Sequence, residues 1–160
     1  MFFIKKKKML SIRKCNIYDL LSMQQCNSIN LPENYNLRYY FYHALSWPYL
    51  SQIAEDVNGK VCGYSLGKLE EDNEYKGHLT SVAVLKTYRK LKLAFYLILQ
   101  THQHLKDIYR ANNICLHVRV SNNAALNLYY NLLNYKVNGI ETQYYGNKEN
   151  AYLMEHVFAR

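Results

Sequence analysis

The sequence predicts an α/β domain with a mixed central sheet, and three observations carry that prediction. Alternating apolar and polar runs, the pattern of half-buried strands, recur between stretches with helical period. Asn58-Gly59 separates two strand-like runs, the signal of an antiparallel hairpin. A further strand-like run passes through a basic turn straight into a long helix, a junction typical of α/β chains. At 160 residues the chain fits one domain, which buries about 70% of the surface its unfolded form exposes.

Taken in order, Met9 to Arg13 reads as the first strand. Asn16, with Asp19 three residues on, caps a helix over about residues 17–28 whose apolar stripe is Leu20, Leu21 and Met23. Leu31-Pro32 interrupts it and opens the loop Leu31-Pro32-Glu33-Asn34-Tyr35. An aromatic-rich helix follows from about Asn36 to Ser46; Pro48 stops it and Trp47 offers a large core anchor. Ser51–Val57 and Lys60–Leu69 are the strands of the hairpin, and Asn58-Gly59 suits a type I′ turn, which needs positive φ twice. His78–Leu85 is a β-branched strand feeding the basic turn Lys86–Lys92. The long helix, about residues 91–110, places Leu93, Ala94, Leu97, Ile98, Thr101, Leu105 and Ile108 at helical period. Ile114, Leu116, Val118 and Val120 then alternate with Cys115, His117 and Arg119, a half-buried strand. Ser121 or Asn122 caps a last helix faced with Ala125, Leu126, Tyr129 and Leu133, before closing strands near 135–141 and 151–158. The order is β-α-α-β-β-β-α-β-α-β-β, with no repeat or linker.

Bulk properties narrow the function. Apolar residues make up 49% of the chain and charged ones 20%, which excludes intrinsic disorder. A net charge of +8 favours polyanionic partners: ribosomal RNA, a phosphate-bearing cofactor or an acidic protein surface. Cys15, Cys26, Cys62 and Cys115 form no CxxC pair and read as thiols of a reducing, cytoplasmic compartment. Met1-Phe2-Phe3-Ile4 followed by Lys5 to Lys8 reverses the order of a signal peptide and is too short to span a bilayer. Residues 1–8 are therefore expected to be a disordered basic tail, with the domain over 9–160 and Met9 as an alternative start. No membrane association is expected.

The junction of strand 78–85 with the long helix is the most informative chemically. Such a turn presents free backbone N–H groups and the positive end of a helix dipole, a cradle for pyrophosphate. Here it reads Arg89-Lys90-Leu91-Lys92-Leu93-Ala94, so its side chains either add contacts to phosphate oxygens or form a solvated face. No four-ligand Cys/His spacing exists and His102 and His104 point to different helix faces, so no metal is expected, and Cys115 reads as a buried residue.

The turn resembles the Arg/Gln-x-x-Gly-x-Gly/Ala signature of the Gcn5-related acetyltransferases, and the chain is similar more narrowly to the catalytic subunits of N-terminal acetyltransferase A complexes. The stretches that carry this are Leu31 to Tyr35, Tyr39-Tyr40-Phe41-Tyr42-His43, Leu45-Ser46-Trp47-Pro48, Ile53-Ala54-Glu55-Asp56, Leu116-His117-Val118-Arg119 and Ser121-Asn122, covering nearly everything after Met9. The resemblance implies the GNAT fold: a mixed, mostly antiparallel sheet of about seven strands flanked by about four helices. It implies acetyl-CoA as cosubstrate, held by main-chain groups of Val82, Ala83 and Val84, by Arg89, Lys90, Lys92, Leu93 and Ala94, and by Asn122 and Tyr129. Lys92 stands where the family has glycine, and its Cβ crowds the backbone's approach to pyrophosphate.

The catalytic roles, too, rest on the resemblance. A peptide α-amine, with a pKa of about 7.7–8.0, needs a base before it attacks a thioester, and the departing thiolate needs an acid. Glu33 is the expected base and Tyr129 the expected acid, or else a core aromatic. Arg119 supports the arrangement, and His117 serves as a water-bridged base or a structural donor. Leu31, Pro32, Glu33, Tyr35, Tyr144 and Tyr145 are the expected walls of the peptide site. The implied substrates are nascent-chain N-termini with small residues in a complex, or acidic N-termini when the subunit acts alone. The implied partner is a large helical-repeat auxiliary subunit that docks the enzyme on the ribosome. Two alternatives stand beside this: a lysine or small-amine acetyltransferase, and an interaction subunit whose turnover is weakened by Lys92.

Overall fold

The computed structural model describes residues 2–5 and 8–159, with side chains from residue 9 onward. In chain order the elements are β1 (Phe2–Lys5), β2 (Lys8–Lys14), α1 (Leu20–Asn30), α2 (Leu37–Ser46), β3 (Ser51–Asp56), β4 (Val61–Glu70) and β5 (Asn73–Val84). There follow α3 (Leu93–Asp107), β6 (Asn113–Arg119), α4 (Asn123–Asn127), β7 (Lys136–Glu141) and β8 (Ala151–Val157). The strands form one sheet in the order β1-β2-β3-β4-β5-β6-β8-β7. Among the described residues only the β5–β6 pair is parallel. The seven expected strands and four helices are all present.

Local chemistry explains the boundaries. The Asn16 side chain accepts from Tyr18 N–H at 2.9 Å while Asp19 accepts from Asn16 N–H at 2.7 Å, a reciprocal cap on the turn that leads into α1. Asn36 caps α2 by accepting from Tyr39 N–H. At the far end of α3, Arg110 takes φ 56 and Ala111 N–H reaches back to the Leu105 carbonyl at 3.0 Å, so the helix closes there with a left-handed residue.

Alternation across the strands puts the helices on opposite faces. Tyr64 points to α1, where its hydroxyl accepts from Asn27, while Ser65 on the other face bonds Thr101 of α3 at 3.0 Å. Leu20, Met23, Tyr40, Ile53, Tyr64 and Leu66 form the core under α1 and α2. Leu79, Ile98, Leu105, Ile114, Leu116, Val118 and Met154 form the larger core on the α3 face. Gly77 lets α3 press against β5: a Cβ there would meet Leu105 Cδ1 at 2.6 Å. No helix of the described residues is long and apolar enough to cross a membrane.

Three expectations need correction. The tail is not wholly irregular: Phe2–Lys5 pairs antiparallel with β2, Phe2 opposite Ser11, because Phe2-Phe3-Ile4 are strong strand formers beside an open edge. The rest of that expectation, on residues 1, 6 and 7, lies outside the described residues. The hairpin turn is not type I′, since only Gly59 has positive φ, at 76°. Asp56 Oδ1 accepts from both Asn58 N–H and Lys60 N–H and closes a turn with one left-handed residue and a register shift next to Glu55. The long helix starts at Leu93 rather than 91, because Lys92 itself is left-handed at φ 60.

Candidate active site

The sheet opens in its middle. β5 and β6 pair only through Lys76–Asn113, Gly77–Ile114 and His78–Cys115, although β5 runs on to Val84 and β6 to Arg119. Beyond His78 the two strands part, and Val82, Ala83 and Val84 keep β4 on one side with no β6 partner on the other. Just past the fork the β4 register jumps from Gly67–Leu79 to Leu66–Ser81, so Thr80 is a bulge residue with no β4 partner. This geometry exposes main-chain donors and acceptors along one edge of β5, where an extended chain can pair.

At the end of that edge stands the start of α3. No side chain caps it, so the first N–H groups of the helix are left for a ligand. Lys90 and Lys92 are both left-handed, at φ 61 and 60, and both are exposed. Arg89 is already engaged: its Nε donates to the Val84 carbonyl at 3.1 Å and its Nη2 to Asn30 Oδ1 at 3.0 Å, stapling the turn to α1. Backbone amides, the two lysines and the remaining N–H groups of Arg89 are available for phosphate, which fits a pyrophosphate-bearing cosubstrate.

On the α1 face of the gap, Arg119 at the end of β6 gathers the surrounding loops. Its guanidinium pairs with Glu33 from the α1–α2 loop and with Glu149 from the β7–β8 loop at 2.9 Å. It also donates to Asn147 Oδ1 at 3.0 Å and lies 3.9 Å from the centroid of the Tyr145 ring. One cation thus serves two carboxylates. Hydrogen bonds from Ser121 and Arg119 hold the Glu149 carboxyl down to about 2. Behind Glu33, Asn27 donates to the Glu33 carbonyl at 3.0 Å and Gln24 to the Tyr35 carbonyl at 3.1 Å, so α1 fixes the loop.

Tyrosines wall the space around that pair. Tyr35 stacks on Tyr39 at 4.6 Å, and Tyr144 stacks on His117 at 4.4 Å and 10°. His117 Nε2 lies 2.8 Å from Glu141 Oε1, and its ring is 5.6 Å from that of His78. Burial, and then the charge of Glu33, pushes the Tyr145 hydroxyl up to about 12. Tyr129 is buried on the α3 side, in a wide helical turn over Leu128–Leu132 that follows α4. Burial raises its pKa, so the phenol stays protonated at neutral pH and is able to donate.

The structure therefore brings together Glu33, Tyr35, His117, Arg119, Tyr144 and Tyr145, which the sequence scatters over three segments. Leu31 and Pro32 lead into this loop, and Leu93 and Ala94 form the first turn of α3. Two expected contacts also have a structural use: Asn122 Oδ1 caps α4, accepting from Ala125 N–H at 3.2 Å, and Arg89 spends its Nε and one Nη2 hydrogen within the fold. Glu149, Asn147, Tyr39 and Glu141 were not foreseen; Glu149 follows a Tyr144-Tyr145-Gly146 turn whose polar tip was the one available signal.

Comparison with known proteins agrees with this geometry. The profile of the acetyltransferase (GNAT) family matches residues 17–135. The N-terminal acetyltransferase A complex catalytic subunit of Arabidopsis thaliana is 51% identical over 147 residues, 91% of this chain and 77% of the relative. In three dimensions the chain is similar to a solved NatC complex bound to Gag peptide and CoA, with TM-score 0.87 at 23% identity over 94% of this chain and 99% of that one. It is also similar to the NatB acetyltransferase complex bound to CoA, with TM-score 0.79 at 29% identity over 93% and 99%.

Proposed function

The chain belongs to the acetyltransferase (GNAT) family, in its N-terminal acetyltransferase branch, and on that premise we propose how it moves the acetyl group of acetyl-CoA to the α-amine of nascent polypeptides. One observation carries the reading: Arg119 ties the Glu33 loop to the β7–β8 loop on the α1 face of the gap between β5 and β6. The N-terminus of a peptide enters between these loops, against Tyr35, Tyr144 and Tyr145. Acetyl-CoA lies along the free edge of Val82–Val84, with its pyrophosphate at the N–H groups of Leu93 and Ala94.

In the reaction Glu33 takes a proton from the incoming α-amine, directly or through one water. Arg119 aims that carboxylate, since it shares its fork between Glu33 and Glu149. We assign stabilisation of the oxyanion to main-chain N–H groups beside the Thr80 bulge, a reading supported by its lack of a β4 partner. Tyr129, kept protonated by burial, returns a proton to the departing thiolate. His117 is held by Glu141 and Tyr144, which suits a residue that positions the peptide wall.

Small N-terminal residues are the substrates in a complex and acidic N-termini when the chain acts alone. Exposed Ile17, Tyr18, Leu21 and Ile29 of the α1 segment, with Phe41 and Leu45 of α2, support a helical-repeat auxiliary subunit as partner, working in the cytoplasm at the ribosome. Basic surface adds attraction to ribosomal RNA. The test is a peptide panel with acetyl-CoA. Acetylation of Ser-, Ala- or Glu-starting peptides, with blocked N-termini left unmodified even when they carry lysine, is the expected result. Acetylation confined to internal lysines would overturn it.

A further inference from the structure

At the fork where β5 and β6 part, three side chains that no sequence motif connects come together. Cys115 Sγ lies 3.4 Å from Glu70 Oε1 and 3.6 Å from His78 Nδ1, and His78 Nδ1 lies 2.5 Å from Glu70 Oε1. All three donor atoms fall within 4.8 Å of one another. Cys115 is buried, whereas Glu70 and His78 keep partial access to solvent, so the cluster has a floor and an open side.

We propose that Glu70, His78 and Cys115 form a binding site for a thiophilic divalent cation, with Zn²⁺ the best match. Zinc bonds of about 2.3 Å to sulfur and about 2.0–2.2 Å to nitrogen and oxygen, at tetrahedral angles, put the donors about 3.4–3.6 Å apart. Both separations that involve sulfur already have these values. The His78–Glu70 hydrogen bond has to open by about 0.9 Å to reach the same spacing. Glu70 is the last residue of β4, at a register shift after Leu69, and a side-chain rotation there disturbs no strand pairing. Ca²⁺ and Mg²⁺ take oxygen ligands, so a set of one sulfur, one nitrogen and one carboxylate selects against them. Three protein ligands leave the fourth tetrahedral position to water.

Protonation agrees with a site that exchanges a proton for a cation. Burial, and then the charge of Glu70, pushes the Cys115 thiol up to about 12, so it carries its proton until a metal displaces it. Burial lowers the His78 pKa and favours neutral imidazole, and ligation through Nδ1 requires the tautomer with its proton on Nε2, so a metal replaces the Nδ1–Glu70 hydrogen bond. Lys68, Lys76 and Glu155 also act on the cluster, and Lys76, whose Nζ lies 3.7 Å from Glu155, offsets only part of the carboxylate charge.

The test uses the reduced, full-length chain titrated with Co²⁺ and then Zn²⁺. The expected result is a thiolate-to-cobalt charge-transfer band that saturates at one equivalent and disappears on adding Zn²⁺. Cys115→Ser removes the band, and Glu70→Gln keeps it while weakening Zn²⁺. Each weakens Zn²⁺ by more than the 10–100-fold that losing an outer-shell partner costs. Cys15, Cys26 and Cys62 remain in both variants and serve as an internal control. No charge-transfer band in the folded wild type, or unchanged Zn²⁺ affinity in Cys115→Ser, overturns the proposal. Should Cys115→Ser fail to fold, unchanged affinity in Glu70→Gln overturns it.

Discussion

Replacing Lys92 by glycine separates two effects of one side chain. Lys92 sits at φ 60 and ψ 18 at the start of α3, with its side chain exposed. A left-handed residue with a Cβ costs about 1–2 kcal/mol, while glycine adds about 0.5–1 kcal/mol of chain freedom to the unfolded state. The net gain is about 0.5–1 kcal/mol, which for 160 residues raises Tm by about 2 °C. The same change acts on acetyl-CoA in opposite directions. Losing an exposed ammonium costs at most about 1 kcal/mol, whereas a closer backbone approach gains a charge-assisted hydrogen bond of about 1.5–3 kcal/mol. The backbone term wins, and Kd for acetyl-CoA falls about tenfold. Thermal unfolding of the ligand-free chain and calorimetric titration read the two terms independently. A variant whose Tm is unchanged or lower refutes the strain argument. Weaker acetyl-CoA binding shows instead that the lysine charge outweighs its Cβ.

Other variants test the remaining roles. Glu33→Gln lowers kcat/KM by about 100-fold or more, as expected for loss of a general base, and steady-state kinetics with a Ser-starting peptide measures it. Tyr129→Phe lowers kcat by a similar factor of about 100 while the Kd of acetyl-CoA stays within about twofold; a kcat near wild type makes Tyr129 a packing residue only. Arg119→Lys keeps the charge but loses the fork that spans Glu33 and Glu149, so kcat/KM falls about tenfold with Tm almost unchanged. The Glu149 carboxyl is depressed from 4.5 to about 2 in the folded state, so its stabilisation is complete above about pH 5 and is lost as pH falls toward 2. The Tm difference between wild type and Glu149→Gln therefore shrinks over that interval, and a difference that grows on acidification reverses the sign of the linkage.

Elements with strong local signals are legible in the sequence alone. The capping pair Asn16 and Asp19, the alternation of Cys115, His117 and Arg119, and the helical period after Leu93 each depend on neighbours a few residues apart. The hairpin turn departs from its expected type because the Asp56 side chain, which holds two backbone amides, outweighs the preference of the Asn58-Gly59 pair. The Glu33–Arg119 pair joins positions 86 apart, and Glu70 and Cys115 lie 45 apart, with no spacing rule to connect them. Resemblance named Glu33 and Arg119 separately. Only the fold shows that they share a bond, and that Arg89 Nε and Asn122 Oδ1 also hold the turn and the α4 cap.

The parting of β5 and β6 has a cost outside catalysis. A strand with a bare hydrogen-bonding side is an aggregation hazard, and here that side lies inside the sheet rather than at its rim. A ligand that lies along Val82–Val84 closes the ladder and occupies the place an intruding strand would take. Under the proposed placement of acetyl-CoA, cosubstrate supply is expected to affect solubility: saturation adds RT ln(1 + [L]/Kd) in stability and covers the bare strand side.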